Sequence, residues 1–321
     1  MTSRLIEISP DGYEPHTIHS GERTWTETNC YLDLWVEVLH SLGLDPVPAA
    51  ACAFGARFDG SQWTFLKFKP EDLFALYGID VGEMNVWRRV LDHVEDNLAA
   101  GMLSTVEVDA HWLPDTVGTG YREGHTKTTI VANYIDREAG VLEYFHNSGY
   151  HRLAGDDFRG LFGLDVAGSA TFTPYVEQVR FDGDPGYRPA RFEAVLRHHL
   201  ATRPDGNPVR DLGERVVADV PWIRDAGIDT FHLWTFGVLR QCGATAELAA
   251  DVCEYLERNG FAGAAAFAPG FRAVAQGAKS VQFQMARAAR GRSVDPSAQL
   301  DGMAEAWERS VGGVARVVGR E

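Results

Sequence analysis

The stretch HTKTTIVANYID-REAG-VLEYFHN constrains this chain more than any other. Two runs dense in β-branched and aromatic residues flank a short polar turn, which is the pattern of a long β-hairpin. It places an antiparallel sheet in the first half of the molecule. The run LSTVEVDAHWLP just before it reads as a strand leading into a loop. In PAAACAFGARFDGSQWTFLKF, two apolar runs on either side of Asp59-Gly60 read as a second hairpin, with Cys52 inside an apolar strand.

Helical signals surround the sheet. From Asn29 to Leu42, the apolar residues Leu32, Leu34, Trp35, Val36, Val38 and Leu39 cover most of a helix circumference, as a buried helix requires. Gly43 and Pro46 stop it. Pro70-Glu71-Asp72 opens a short helix, and another spans roughly 86–100. Residues 1–27 read as an irregular arm. After about residue 170 the texture becomes helical, in FEAVLRHHLA, LGERVVADVPWI, FHLWTFGVLRQ, ATAELAADVCEYLERNG and the stretch from Phe271 to Arg290. The expected fold class is α+β: a sheet-bearing core over 1–170 and a mainly helical substrate- or partner-binding region over 171–321. Whether the two pack as one unit is open at this point, and the loop FDGDPGYRP is a natural boundary.

Composition limits the function classes. The 321 residues are 45% hydrophobic and 23% charged, which are globular values. No apolar run approaches the roughly 18 residues of a membrane span. The first residues, MTSRLIEISPDGYEP, lack the apolar core of a secretory signal, so a cytoplasmic location is expected. Four cysteines in so long a chain are not a disulfide framework. The net charge of −15 opposes binding to nucleic acid and to anionic membranes.

Among the cysteines, Cys30 stands apart because it opens a helix, with Thr28 or Asn29 as N-cap. A thiol there meets the positive end of the helix dipole, which favours the nucleophilic thiolate. Asp33, one turn on, opposes a second negative charge. His125 enters the long hairpin from a Gly-containing loop, where a rigidly held, accessible imidazole can serve as general base. Asn147 ends the returning strand and is the first choice to orient that ring. Asp136 is the rival, but it falls at the turn, and His146 should face the opposite side by strand alternation. The catalytic set read from the sequence is therefore Cys30, His125 and Asn147.

The segments TNCYLDLWVEVLHSLGLDP, GSQWTFLKF, DAHWLPDT, GHTKTTI and YFHNSGY resemble a bacterial domain-of-unknown-function family found in biosynthetic clusters with carrier proteins and amino-acid-activating enzymes. The order of Cys at a helix start, His at a strand start and Asn at a strand end is more distantly similar to papain-like enzymes, including the butirosin H acyltransferase and bacteriocin-processing peptidases. The resemblance implies a papain-like core, an acyl-thioester intermediate on Cys30 and a phosphopantetheinyl carrier protein as donor. Papain-like enzymes commonly carry a Gln about six residues before the cysteine. Here that position is Thr24, which leaves the Cys30 backbone N–H, with Thr24, Thr28 or Asn29, as oxyanion donors. The departure shifts the expectation from peptide cleavage toward acyl transfer.

Lesser signals complete the reading. Asp109, His111 and Asp115 lie on the loop toward His125 and either line an acceptor pocket or end a strand. Between Arg272 and Val294 there are five basic residues and no acidic one, including Lys279 and Arg287. They suit a phosphate or the acidic face of a partner, or else form a solvated helix face. Cys52, Cys242 and Cys253 read as core residues. No spacing fits a zinc site, and no dinucleotide, P-loop or G-x-S-x-G motif is present, so neither metal nor cofactor is expected. The first expectation is a cysteine acyltransferase acting on a small-molecule amine or hydroxyl acceptor. A hydrolase (peptidase, amidase or thioesterase) of the same fold is the second, an aminoacyl-tRNA donor, which the charge disfavours, the third, and a non-catalytic binding module the fourth.

Overall fold

Residues 4–164 and 174–319 are described by a computed structural model of the whole chain. They form two compact units whose chain segments interleave. The first unit holds the segment ending at Ser20, then Cys30–Pro46 and Lys69–Arg188. The second holds Gly21–Asn29, Val47–Phe68 and the chain from Pro189 onward.

The first unit is built on six strands: β1 (Ile79–Glu83), β2 (Leu103–Asp109), β3 (Lys127–Asp136), β4 (Val141–His146), β5 (Gly149–Ala154) and β6 (Val176–Phe181). Every pairing is antiparallel, in the order β1-β6-β2-β3-β4-β5. The expected hairpin is β3–β4, with Val131 opposite Phe145 and a bulge between Ala132 and Tyr134. β1, β5 and β6 have no counterpart in the sequence reading. They are short, and β6 carries Glu177, Gln178 and Arg180, so its strand character comes from its place between β1 and β2 rather than from composition. β6 lies beyond residue 170 and still belongs to this sheet.

Four helices accompany it: α1 (Cys30–Ser41), α2 (Pro70–Tyr77), α3 (Val90–Ala99) and α4 (Asp156–Leu161). Every residue from Tyr31 to Leu39 in α1 is buried, as its all-round apolar pattern requires. α1 packs on β3, β4 and β5, while α3 packs on β2 and β3. The alternation of β2 shows that they take opposite faces. The Thr105 hydroxyl donates to Glu177, which also accepts from Tyr31 of α1, whereas Ser104 accepts from Asn97 of α3. Thr105, Glu107 and Asp109 therefore share the α1 face.

The second unit is helical: α5 (Pro189–Ala201), α6 (Pro208–Thr235), α7 (Gln241–Arg258), α8 (Ala268–Ala288) and α9 (Ser297–Val318). Gly227, at φ 83° and ψ −171°, interrupts α6, and one π turn (Phe236–Arg240) joins it to α7. The expected hairpin around Asp59 shrinks to a tight antiparallel turn, with one bridge, Phe58 to Trp63, and backbone bonds from Asp59 N to Gln62 O and from Thr64 N to Arg57 O. Its first expected strand is replaced by a 3-10 helix, Val47–Gly55, carrying the buried Cys52. A short apolar run fits helix and strand alike, and here packing against α7 and α5 decides. In the core, Trp307 stands edge-on to Trp63 (5.7 Å) and Phe271 (5.4 Å). No described helix is long and apolar enough to cross a membrane.

Candidate functional site

Two loops bring an acid and a base together at one end of the β2–β3 pair. Asp109 closes β2 opposite Lys127, the first residue of β3, so His125 lies two positions beyond it. Asp109 Oδ2 is 2.6 Å from His125 Nδ1, while Asp109 Oδ1 accepts the backbone N–H of His111 (3.0 Å) and Thr126 (3.2 Å). Burial opposes the charge on Asp109, but these donors outweigh it and hold its pKa below the usual carboxylate range. An ionised carboxylate only accepts, so Nδ1 carries the proton, and in the neutral imidazole the lone pair is then on Nε2. The side chain of His125 is 76% exposed. Its ring stacks on His111 at 4.6 Å and 15°, and His111 is itself tethered through Nδ1 to the carbonyl of Gly124 (3.3 Å).

Asp109, read from the sequence as a pocket or strand-end residue, thus bonds the His125 ring where Asn147 was expected to. The hairpin register explains the exchange. Val131 opposite Phe145 sets Asn147 level with Thr129, four positions short of His125, or about 13 Å along the strand. Asn147 instead makes the turn into β5 at φ 46°, the left-handed region that Asn tolerates. Asp136 lies at the far end of β3, where it accepts the N–H of Ala139 in the hairpin turn.

These residues belong to a sequence family with its own two-part architecture: a DUF1839 N-terminal domain matches residues 14–181 and a DUF1839 C-terminal domain matches 188–316. The chain belongs to the DUF1839 family. The junction between the two matches falls in the loop FDGDPGYRP. No curated protein matches the chain in sequence.

Cys30 begins α1 and is partly exposed. Among the described residues, no hydrogen bond joins its sulfur to His125. The acidic neighbour that sequence reading counted against a thiolate is compensated within the same unit. Asp33 and Glu37, one turn apart on α1, both pair with His19, whose Nε2 lies 3.5 Å from Asp33. All three side chains are buried. Burial disfavours the imidazolium, but the two carboxylates outweigh it and raise the pKa of His19 to about 9. The cation lies outside every pattern considered in the sequence, because His19 sits in the arm read as irregular.

The segment delivering Cys30 is gripped inside the second unit. Glu247 accepts the N–H of Thr24 (3.0 Å) and of Trp25 (2.7 Å), and the carbonyl of Thr28 accepts from Arg240 and Gln241. The amide nitrogen of Asn29 donates to Leu66 O (2.9 Å) and Gln241 Oε1 (3.1 Å). Both of its N–H groups are spent, so the Asn29 side chain is not the oxyanion donor expected of it. The backbone N–H at the start of α1 remains the natural choice.

Asp115 belongs elsewhere. With Tyr144, His146 and Thr128 it forms a buried network on the α3 face: Asp115 Oδ1 accepts from Tyr144 (2.5 Å), Oδ2 is 2.5 Å from His146 Nδ1, and His146 Nε2 is 2.7 Å from Thr128 Oγ1. His146 does face away from His125, as alternation required. The network has the bonding order of an acid–base–hydroxyl triad, yet Thr128 and His146 are almost wholly enclosed. Cys242 and Cys253 are core thiols whose pKa burial pushes up, that of Cys253 to about 12. Among the described residues there is no group of three or more His, Cys, Asp or Glu able to hold a metal.

Proposed function

We propose that the chain is a cysteine acyltransferase on a papain-like core, with Cys30 as nucleophile, His125 as base and Asp109 as the residue that orients the base. The observation that carries this reading is the 2.6 Å Asp109–His125 bond on the sheet face that α1 covers, with Nε2 left open. Tyr31, next to Cys30, bonds Glu177 beside Thr105, four positions along β2 from Asp109. The His19 cation supports the assignment by offsetting Asp33.

In the reaction, His125 Nε2 takes the Cys30 proton and the thiolate adds to the donor thioester carbonyl. The donor C–S bond breaks, and its thiolate leaves with the proton held by the imidazolium. An amine or hydroxyl acceptor then gives its proton to Nε2 and attacks acyl-Cys30, and the Cys30 thiolate departs. The sulfur and the ring need not be bonded at rest, because catalytic hydrogen bonds are commonly long before substrate binds. By family resemblance the donor is a phosphopantetheinyl carrier protein carrying an aminoacyl group.

Intact-mass analysis with small aminoacyl thioesters tests the reading. Wild type gains one acyl mass and Cys30→Ala gains none. An adduct that persists in Cys30→Ala refutes the nucleophile. Release of free acid at the same rate with and without an added amine reassigns the site to a hydrolase.

A further inference from the structure

The one basic stretch of this acidic chain surrounds an exposed aromatic side chain. On α8, Lys279, Phe283 and Arg287 recur at four-residue spacing and form one stripe about two turns long, with Arg290 just past the end of the helix. Phe283 is 64% exposed in the middle of it. Arg287 and Arg290 are exposed and have no carboxylate partner among the described residues. Lys279 lies over the ring of Trp25 at 4.2 Å, where partial burial lowers its pKa. Arg272, at the other end of α8, is paired with Glu254.

The π turn that follows α6 packs against α8 and carries Phe236, itself exposed and tilted against Phe65 at 6.3 Å. Leu233, one turn earlier, is 80% exposed. All of these residues belong to the second unit. Exposed large apolar side chains and unpaired cations in one unit, on a chain of net charge −15, supply both anchors and a charge preference.

We infer that this face of the second unit docks an acidic amphipathic helix of a partner protein. Apolar side chains of that helix at i, i+3 and i+4 spacing would seat on Phe283, Leu233 and Phe236, and its carboxylates would meet Lys279, Arg287 and Arg290. A nucleic acid fits less well, since a few cations on so acidic a chain leave most phosphates opposed by like charge. The inference goes beyond the chemistry at Cys30 and does not depend on it.

Fluorescence anisotropy of the full-length protein tests it, using a labelled Leu/Glu amphipathic peptide and its Leu/Lys counterpart. The Leu/Glu peptide binds, and its affinity falls at least tenfold in Phe283→Ala/Arg290→Glu and falls with added salt. The Leu/Lys peptide does not bind. Circular dichroism confirms that the variant is folded, and acylation of Cys30 by a small thioester is read in parallel as a separate outcome. Equal affinity for both peptides, or no loss in the variant, overturns the inference. So does stronger binding of single-stranded DNA or anionic vesicles, or a concentration-dependent dimer of the free chain that the variant abolishes.

Discussion

The two units bury different chemistry. Inside the first, polar groups are enclosed in networks: His19 with Asp33 and Glu37, Asp115 with Tyr144 and His146, and Glu177 with Tyr31 and Thr105. The second encloses polar groups too, Asn29 with Gln241 and Glu247 with the N–H groups of Thr24 and Trp25, partners that include no histidine, and it packs apolar rings and small residues closely. A side chain at Gly313 would meet Phe267, and one at Gly243 would meet Trp25. Its unpaired cations stay at the surface. Buried polar networks fix side chains in one geometry but make stability depend on protonation, whereas close apolar packing is indifferent to pH.

Three changes sharpen that contrast. The largest effect is expected for Asp109→Asn, which lowers the rate of Cys30 acylation by about 10²–10⁴-fold, the range of a general base. The amide can donate to Nδ1 and thereby favour the tautomer that protonates Nε2. Single-turnover acylation with a small thioester measures it, and an unchanged rate removes Asp109 as the residue that orients His125. Next, Trp307→Ala empties the contact with Trp63 and Phe271 and costs about 3–5 kcal/mol in urea unfolding, equally at pH 6 and pH 9.

The smallest is the pH dependence of the first unit. His19 has its folded pKa raised to about 9, against about 6.5 unfolded. Its contribution is complete below pH 6.5 and is lost as the pH rises through 9; it is on the order of 3 kcal/mol. Unfolding free energies from pH 6 to pH 10 show this fall, and His19→Gln flattens it. A slope unchanged in His19→Gln would mean that another group titrates there.

How much of the site was legible follows from strand geometry. Cys30 at a helix start and His125 at a strand start could be read from local pattern, since apolar periodicity and turn residues mark such boundaries. The choice between Asn147 and Asp109 could not. Both stand at strand ends flanking β3, and only the registers of β2 and β4 separate a two-position offset from a four-position one. Likewise β6 was hidden because its charged residues lack the β-branched density that exposes β3, and the 3-10 run around Cys52 passes equally well for a strand.

What the sequence determined by itself is local: the buried α1 helix, the β3–β4 hairpin, the change to helices after the sheet and the basic stretch on α8. Each is set by side chains within a few residues of one another, where periodicity and turn chemistry act. Tertiary structure alone decided which carboxylate holds His125, which cation offsets Asp33 and which aromatics border the basic stripe. Those pairings join separate elements, 16 residues apart for Asp109 and His125, and their geometry depends on strand register and helix packing that no local pattern encodes.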